Sequence, residues 1–201
     1  MLALNGIGEG ASNVLDVQTA FIPGGSLINP NSSSGDFIIE GAAIFIPGIK
    51  LGKAGIKTAG KSLARETTKK AKSLVETLSN KERGPVLSGV LDSKTGEIFF
   101  GLNSNEAISS LHPILQKRLN SLVKRTGGLG NRPEYLNEIP GSHSAISALN
   151  QALQKRGNVL ESQLNQFFLH NRSLRGTSKV TGVPPRCADC AELTRGVNVV
   201  N

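Results

Sequence analysis

Between residues 53 and 78 one spacing repeats. Ile56, Ala59, Leu63, Thr67, Ala71, Leu74 and Leu78 recur at three- and four-residue steps, which lines them up on one face of a helix. Lys53, Lys57, Lys61, Lys69, Lys70 and Lys72 fall mostly off that stripe. They read as the solvated side of a core-packing helix, with a phosphate-tracking or membrane-lying surface as the alternatives. From Gly84 the period shortens. Residues 86–91 and 97–102 are apolar, β-prone runs joined by Asp-Ser-Lys-Thr-Gly, which predicts a hairpin. Helical spacing returns over 107–124, at Ile108, Leu111, Leu115, Leu119 and Leu122, with Pro113 placed for a first turn. A second helix is predicted over 143–156, with Ile146, Leu149, Ala152 and Leu153 inward and Gly157 as its stop. A strand over 164–169, a short helix over 187–194 and a last strand over 197–200 complete the order β-β-α-α-β-α-β, an α/β domain. Residues 126–141 and 176–185 read as loops.

The stretch before the basic helix behaves differently. Residues 1–49 are punctuated by Gly, Ser, Asn and Pro, which break every apolar run before a long helix can form. The expected organisation is an irregular leader over 1–49, a basic helix over 50–83 and a folded domain over 84–201. Charge follows the same division. The leader carries four acids and no Lys or Arg, the helix segment is +7, and the remainder is +5, for a net +8 over 201 residues. The most apolar stretch, 37–49, is too short to span a bilayer and contains Glu40 and Pro47, so no stable membrane insertion is expected. No basic stretch follows Met1, so a cleaved signal peptide is not expected either. With two cysteines, three positions apart, a disulfide-stapled scaffold is excluded.

Those cysteines carry the chemistry. Cys187-Ala188-Asp189-Cys190 opens a predicted helix, where backbone N–H groups and the helix dipole favour thiolates. A redox pair of thioredoxin type normally follows the first strand of its unit, and this pair comes near the C-terminus. A closed four-cysteine zinc site needs a second pair, which is absent. Two thiolates, one histidine and an open position describe a catalytic zinc site. His112, His143 and His170 are the candidate third ligands. His143, opening a helix after a Gly-Ser turn, is the strongest.

The arrangement resembles the zinc-dependent nucleoside and nucleic-acid deaminases: a hairpin, a helix opening with H-x-E, a strand, and a helix opening with P-C-x-x-C. Here the corresponding pieces are His143-Ser144-Ala145 and Pro184-Pro185-Arg186-Cys187-Ala188-Asp189-Cys190. More narrowly, SHSAISALNQAL followed downstream by CADC is similar to the YwqJ-like and related bacterial polymorphic-toxin deaminases. The resemblance covers residues 83–201. It implies a cytidine deaminase-like three-layer α/β/α fold with a mixed sheet of four or five strands, preceded by the leader and basic helix. It also implies Zn2+ held by His143, Cys187 and Cys190, and a substrate contact at Asn103, which ends the 97–102 strand.

One departure bears on activity. The position two after the histidine, where the family's proton-carrying Glu stands, is Ala145. Losing a positioned general acid/base costs ~10²–10⁴-fold, so this chain is expected to be a catalytically dead form, engineered or naturally inactive. Glu134 and Glu138 lie in the preceding loop, with no spacing that brings either to the site. The proline expected before the first cysteine is displaced by Arg186.

The expected reaction is hydrolytic conversion of cytosine to uracil in nucleic acid. Single-stranded DNA is favoured, because a base in a duplex must be flipped out at a cost; RNA and free nucleotides are the alternatives. The basic charge suits a phosphate backbone. Tyr135 is the stacking candidate, since the pairs Phe99-Phe100 and Phe167-Phe168 belong to strands and each gives the core at least one ring. Arg132, Arg172, Arg175 and Arg186 lie in predicted loops beside the pocket as candidate phosphate contacts, with a solvated surface charge as the alternative for each, and Arg186 is counted among the substrate-binding residues. The resemblance also implies a secreted effector acting in the cytoplasm of a target cell in interbacterial competition, with an immunity protein in its producer. Two competing readings are a non-enzymatic zinc-stabilised nucleic-acid-binding module and a membrane-binding effector built on the basic helix.

Overall fold

The structure is a computed structural model that describes residues 44–45, 53–103, 108–126, 142–175 and 182–200. In chain order it contains β1 (Ile44–Phe45), α1 (Lys53–Thr77), α2 (Asn80–Arg83), β2 (Val86–Asp92), β3 (Glu97–Leu102), α3 (Pro113–Thr126) and α4 (Ser144–Arg156). A 3-10 turn (Glu161–Gln166), β4 (Phe167–Ser173), α5 (Ala188–Leu193) and β5 (Asn198–Val199) follow. The sheet order is β1-β3-β2-β4-β5, antiparallel throughout except for the β4–β5 pair. The sheet is therefore mixed and the fold α/β, as expected.

Strand alternation divides the core. On one face Val90, Phe99, Phe167 and Leu169 pack with Leu115 and Leu122 of α3, Ile146, Leu149 and Leu153 of α4, and Leu193 of α5. On the other, Leu87, Leu91, Ile98, Phe100, Leu102 and Phe168 pack with Ala59, Leu63, Ala71 and Leu74 of α1. Each large side chain buried in this way contributes ~1.5–3 kcal/mol. The two members of each Phe pair thus face opposite layers, and all four rings are buried. The apolar stripe of α1 from Ala59 to Leu74 is covered by the sheet. Among the described residues no helix is long and apolar enough to cross a membrane.

Close approaches at two glycines set the layers. A Cβ on Gly89 would lie 2.3 Å from Thr67 Oγ1 of α1, and one on Gly101 would lie 2.4 Å from the Ser144 carbonyl oxygen of α4. The basic helix expected over 50–83 is two helices, α1 and the short α2, and three further boundaries differ by several residues from the periodic reading. Helix α3 begins at Pro113, not at 107. The proline occupies the first turn, the His112 carbonyl accepts from Gln116 (3.0 Å), and the His112 N–H is taken by Asn150 (2.7 Å). The strand predicted at 164 starts at Phe167, because Leu164 is buried from within the 3-10 turn. It also runs on through His170, Asn171 and Arg172, polar residues whose side chains bond the Val200 carbonyl, Ser88 and Thr68.

Candidate metal centre

Two helix starts make the site. His143 is the N-cap of α4, in extended conformation, and its carbonyl accepts the Ile146 and Ser147 N–H groups, both at 3.0 Å. Cys187 is the N-cap of α5; its Sγ accepts the Cys190 N–H at 3.3 Å and its carbonyl accepts the Ala191 N–H at 2.9 Å. The two starts face one another. His143 Nδ1 lies 3.0 Å from Cys190 Sγ and 3.3 Å from Cys187 Sγ.

Among the described residues, these three are the one group of three or more metal-ligating side chains whose donor atoms all lie within 4.8 Å of one another. Zinc bonds of ~2.0 Å to nitrogen and ~2.3 Å to sulfur, at a tetrahedral angle, require N···S separations of about 3.6 Å. The observed 3.0 and 3.3 Å are about 0.6 and 0.3 Å shorter, a difference that small side-chain rotations about an ion would take up, so the donor set fits a zinc ion. The electrostatics agree. The Cys187 thiol is pulled down from 9.0 to about 4, first by the Cys190 side chain and then, against the effect of burial, by His143 and the Cys190 N–H. A thiolate is the form that ligates. Neither cysteine is in a disulfide.

The other candidate histidines are elsewhere. His112 Nε2 bonds the Gly157 carbonyl (3.0 Å) at the far end of α4, ~20 Å along the helix from His143. His170 Nδ1 bonds the Val200 carbonyl (2.8 Å), and its neighbours by alternation, Phe168 and Arg172, face α1. Ala145 is buried in the first turn of α4, within the core on that side. Asn103 follows β3, two residues beyond Gly101, and its buried Oδ1 has no hydrogen-bond partner among the described residues. Tyr135, Arg132, Glu134 and Glu138 lie outside the described residues.

The expected arginine contacts are largely committed to the fold. Arg186 donates to Thr194 Oγ1 (2.7 Å), which itself donates to the Cys190 carbonyl (2.6 Å). Arg172 is not in a loop beside the site; it lies in β4 and donates to Thr68 on α1 (2.9 Å). Arg175 is exposed.

Three polar residues that the sequence reading passed over lie under the site. Ser88, Ser144 and Asn171 are buried and hydrogen-bonded in series. Ser88, a polar interruption of the apolar run 86–91, was the available signal.

A family model described as YwqJ-like deaminase matches residues 70–199. Toxin YwqJ of Bacillus subtilis (strain 168) is 33% identical over 129 residues, which are 61% of this chain and 20% of that protein. The chain therefore spans about a fifth of the curated relative it matches. No solved structure matches it.

Proposed function

Because the chain belongs to the YwqJ-like deaminases, we propose that its domain is a zinc-dependent cytosine deaminase of a bacterial toxin, acting on nucleic acid. The observation that carries this reading is the meeting of His143 Nδ1 with the Cys187 and Cys190 sulfurs at two helix starts. When bound there, zinc supplies Lewis-acid polarisation and a water of lowered pKa. The reaction consumes water and cytosine and yields uracil and ammonia.

The chain's own residues divide the remaining work. His143, Cys187 and Cys190 hold the ion, and the two helix starts orient them. The Asn103 amide oxygen, buried without a partner among the described residues just after β3, is available to a donor on the substrate sugar. A proton must travel from the attacking water to the ring nitrogen, and the side chain at position 145 has no group to carry it. The chain as it stands is therefore slow or inactive, by ~10²–10⁴-fold against a form with a carboxylate there. Single-stranded DNA is the preferred substrate, since its bases are already unpaired. The likeness to Toxin YwqJ supports a toxin, and with it a secreted effector working in a target cell's cytoplasm beside a neutralising immunity protein.

Ala145 is also the observation that favours the second reading, a zinc-stabilised nucleic-acid-binding module without catalysis. Ala145→Glu separates the two. With zinc bound, the variant is incubated with single-stranded DNA and RNA, and C-to-U and A-to-I changes are counted by sequencing. C-to-U conversion in DNA is expected. No conversion in any substrate, with zinc bound, sinks the deaminase reading.

A further inference from the structure

Gly101, Ser88 and Asn171 lie side by side across β3, β2 and β4, one residue from each strand. All three face the helix layer that carries the metal ligands. Ser144, the first residue of α4, sits on this row: its carbonyl lies over Gly101, and its Oγ is 2.8 Å from Ser88 Oγ. Ser88 Oγ donates to Asn171 Oδ1 at 2.7 Å. A serine has one hydroxyl proton, so the proton between the two serines comes from Ser144. Asn171 then donates through Nδ2 to the Pro184 carbonyl at 3.5 Å. The chain runs in one direction, from the residue after His143 to the loop three residues before Cys187.

We propose that Ser88 and Asn171 are positioning residues that set the separation of His143 from Cys187 and so preorganise the metal site. The proposal rests on the reading of the three side chains as metal ligands. Its physical basis is the cost of an unmade buried hydrogen bond. Ser88, Ser144 and Asn171 are each less than a tenth exposed, so water does not readily replace a lost partner. Either helix start can shift only by breaking this chain. The two central strands therefore act as a rigid gauge between two ligand-bearing segments that are 44 residues apart in sequence. Groups behind the ligands of a metal site typically change its affinity by ~10- to 100-fold when removed.

The test measures zinc affinity by competition with a chromophoric chelator, and the absorption spectrum of the cobalt-loaded protein. Ser88→Ala, Asn171→Ala and Ser144→Ala are compared with Ile98→Val, a core substitution on the opposite face of the sheet. Circular dichroism and thermal unfolding of the metal-free proteins report the fold. Each of the three polar variants is expected to weaken zinc binding by ~10- to 100-fold and to alter the cobalt spectrum. Ile98→Val is expected to do neither, even where its loss of thermal stability is similar. Ser144→Ala places the best helix former at a helix position and leaves both strands untouched, so it serves if a strand variant fails to fold. The Ser88→Ala/Asn171→Ala pair is expected to weaken binding less than the product of the single effects, because both break one chain. Folded variants that bind zinc as tightly as the parent, with an unchanged cobalt spectrum, overturn the proposal and leave the metal reading intact. A parent chain that binds no zinc overturns the metal reading itself.

Discussion

The backbone of Gly101 lies directly beneath that of Ser144, so close that a Cβ on the glycine would stand 2.4 Å from the Ser144 carbonyl oxygen and 2.6 Å from the Ala148 nitrogen. Both obstacles are backbone, so no side-chain rotation relieves them. The whole first turn of α4 would have to lift, carrying His143 with it. Gly101→Ala is therefore expected to destabilise the fold by ~1–3 kcal/mol, the usual range for overpacking, and to weaken zinc binding as well. Chemical denaturation and a zinc titration on the same variant check both. Unchanged values in the two experiments would mean that the layers are not as tightly apposed as the structure has them.

At the other end of α4, Arg156 holds Asp92. Its Nε donates to one carboxylate oxygen at 2.6 Å and its Nη2 to the other. Both side chains are buried. Asp92 also accepts the Lys94 N–H (2.8 Å) and the Thr95 N–H (3.3 Å), which closes the β2–β3 turn. Arg156 reaches Gln166 (2.6 Å) and lies over the Phe167 ring at 4.1 Å. Removing one partner strands a buried charge, so Arg156→Met is expected to cost ~3–5 kcal/mol. The double variant Asp92→Asn/Arg156→Met is expected to be more stable than Arg156→Met alone. A double-mutant cycle in urea measures the difference, and an additive result would argue against a coupled pair.

What the sequence made legible follows from how local each signal is. Helices α1 and α4 announced themselves by period, because one face of each is apolar, and the hairpin by two β-prone apolar runs joined by a turn that ends in Gly. The cluster of His143, Cys187 and Cys190 was legible because CxxC spacing and a helix-opening histidine are chemical signals that burial does not disguise. Asp92–Arg156 and Ser88–Asn171 were not legible. Each is a charged or polar pair joined across strands or layers, and apart from the interruption of an apolar run by Ser88 nothing local tells a buried member from a solvated one. Arg172 failed for the same reason: it looked like a loop cation, and the sheet continues through it. The α1 stripe was legible as a buried face, but not what it was buried against.

His170 makes acid sensitivity a property of the fold. Its ring is 2% exposed, and Nδ1 donates to the Val200 carbonyl at 2.8 Å. That leaves Nε2 without a partner among the described residues, so a second proton there would be a buried, unanswered charge. Burial, helped by Arg172 and opposed by the bond to Val200, holds the imidazole below its usual 6.5. The sign follows. Above 6.5 both folded and unfolded chains are neutral at this residue, and its full contribution to stability is present. As pH falls the unfolded chain takes the proton first, and stability declines until the folded-state value is passed. Between about pH 7 and about pH 5, the parent is expected to lose more stability than His170→Gln. Denaturant titrations across that interval check it, and parallel pH profiles would sink the assignment.

The basic helix is expected to be indispensable to the domain it precedes. Without α1, Leu87, Leu91, Ile98, Phe100, Leu102 and Phe168 lose the layer that covers them. Six such side chains represent on the order of 10 kcal/mol of burial, comparable to the ~5–15 kcal/mol that holds a whole domain together. A fragment spanning 84–201 should therefore fail to unfold cooperatively and should aggregate through the bare sheet face, whereas 50–201 should fold. In the full chain, Leu63→Asp places a carboxylate where Leu63 is fully buried beside Gly89, and it should reproduce the defect in milder form. The lysines on the outer side of α1 make the complementary control. Lys57, Lys61 and Lys69 are exposed, so replacing all three with Gln should leave the unfolding midpoint within the small range typical of surface changes. Thermal unfolding and limited proteolysis distinguish these outcomes. A fragment 84–201 that unfolds cooperatively at the parent's midpoint would show that α1 is an attachment to the fold, not one of its layers.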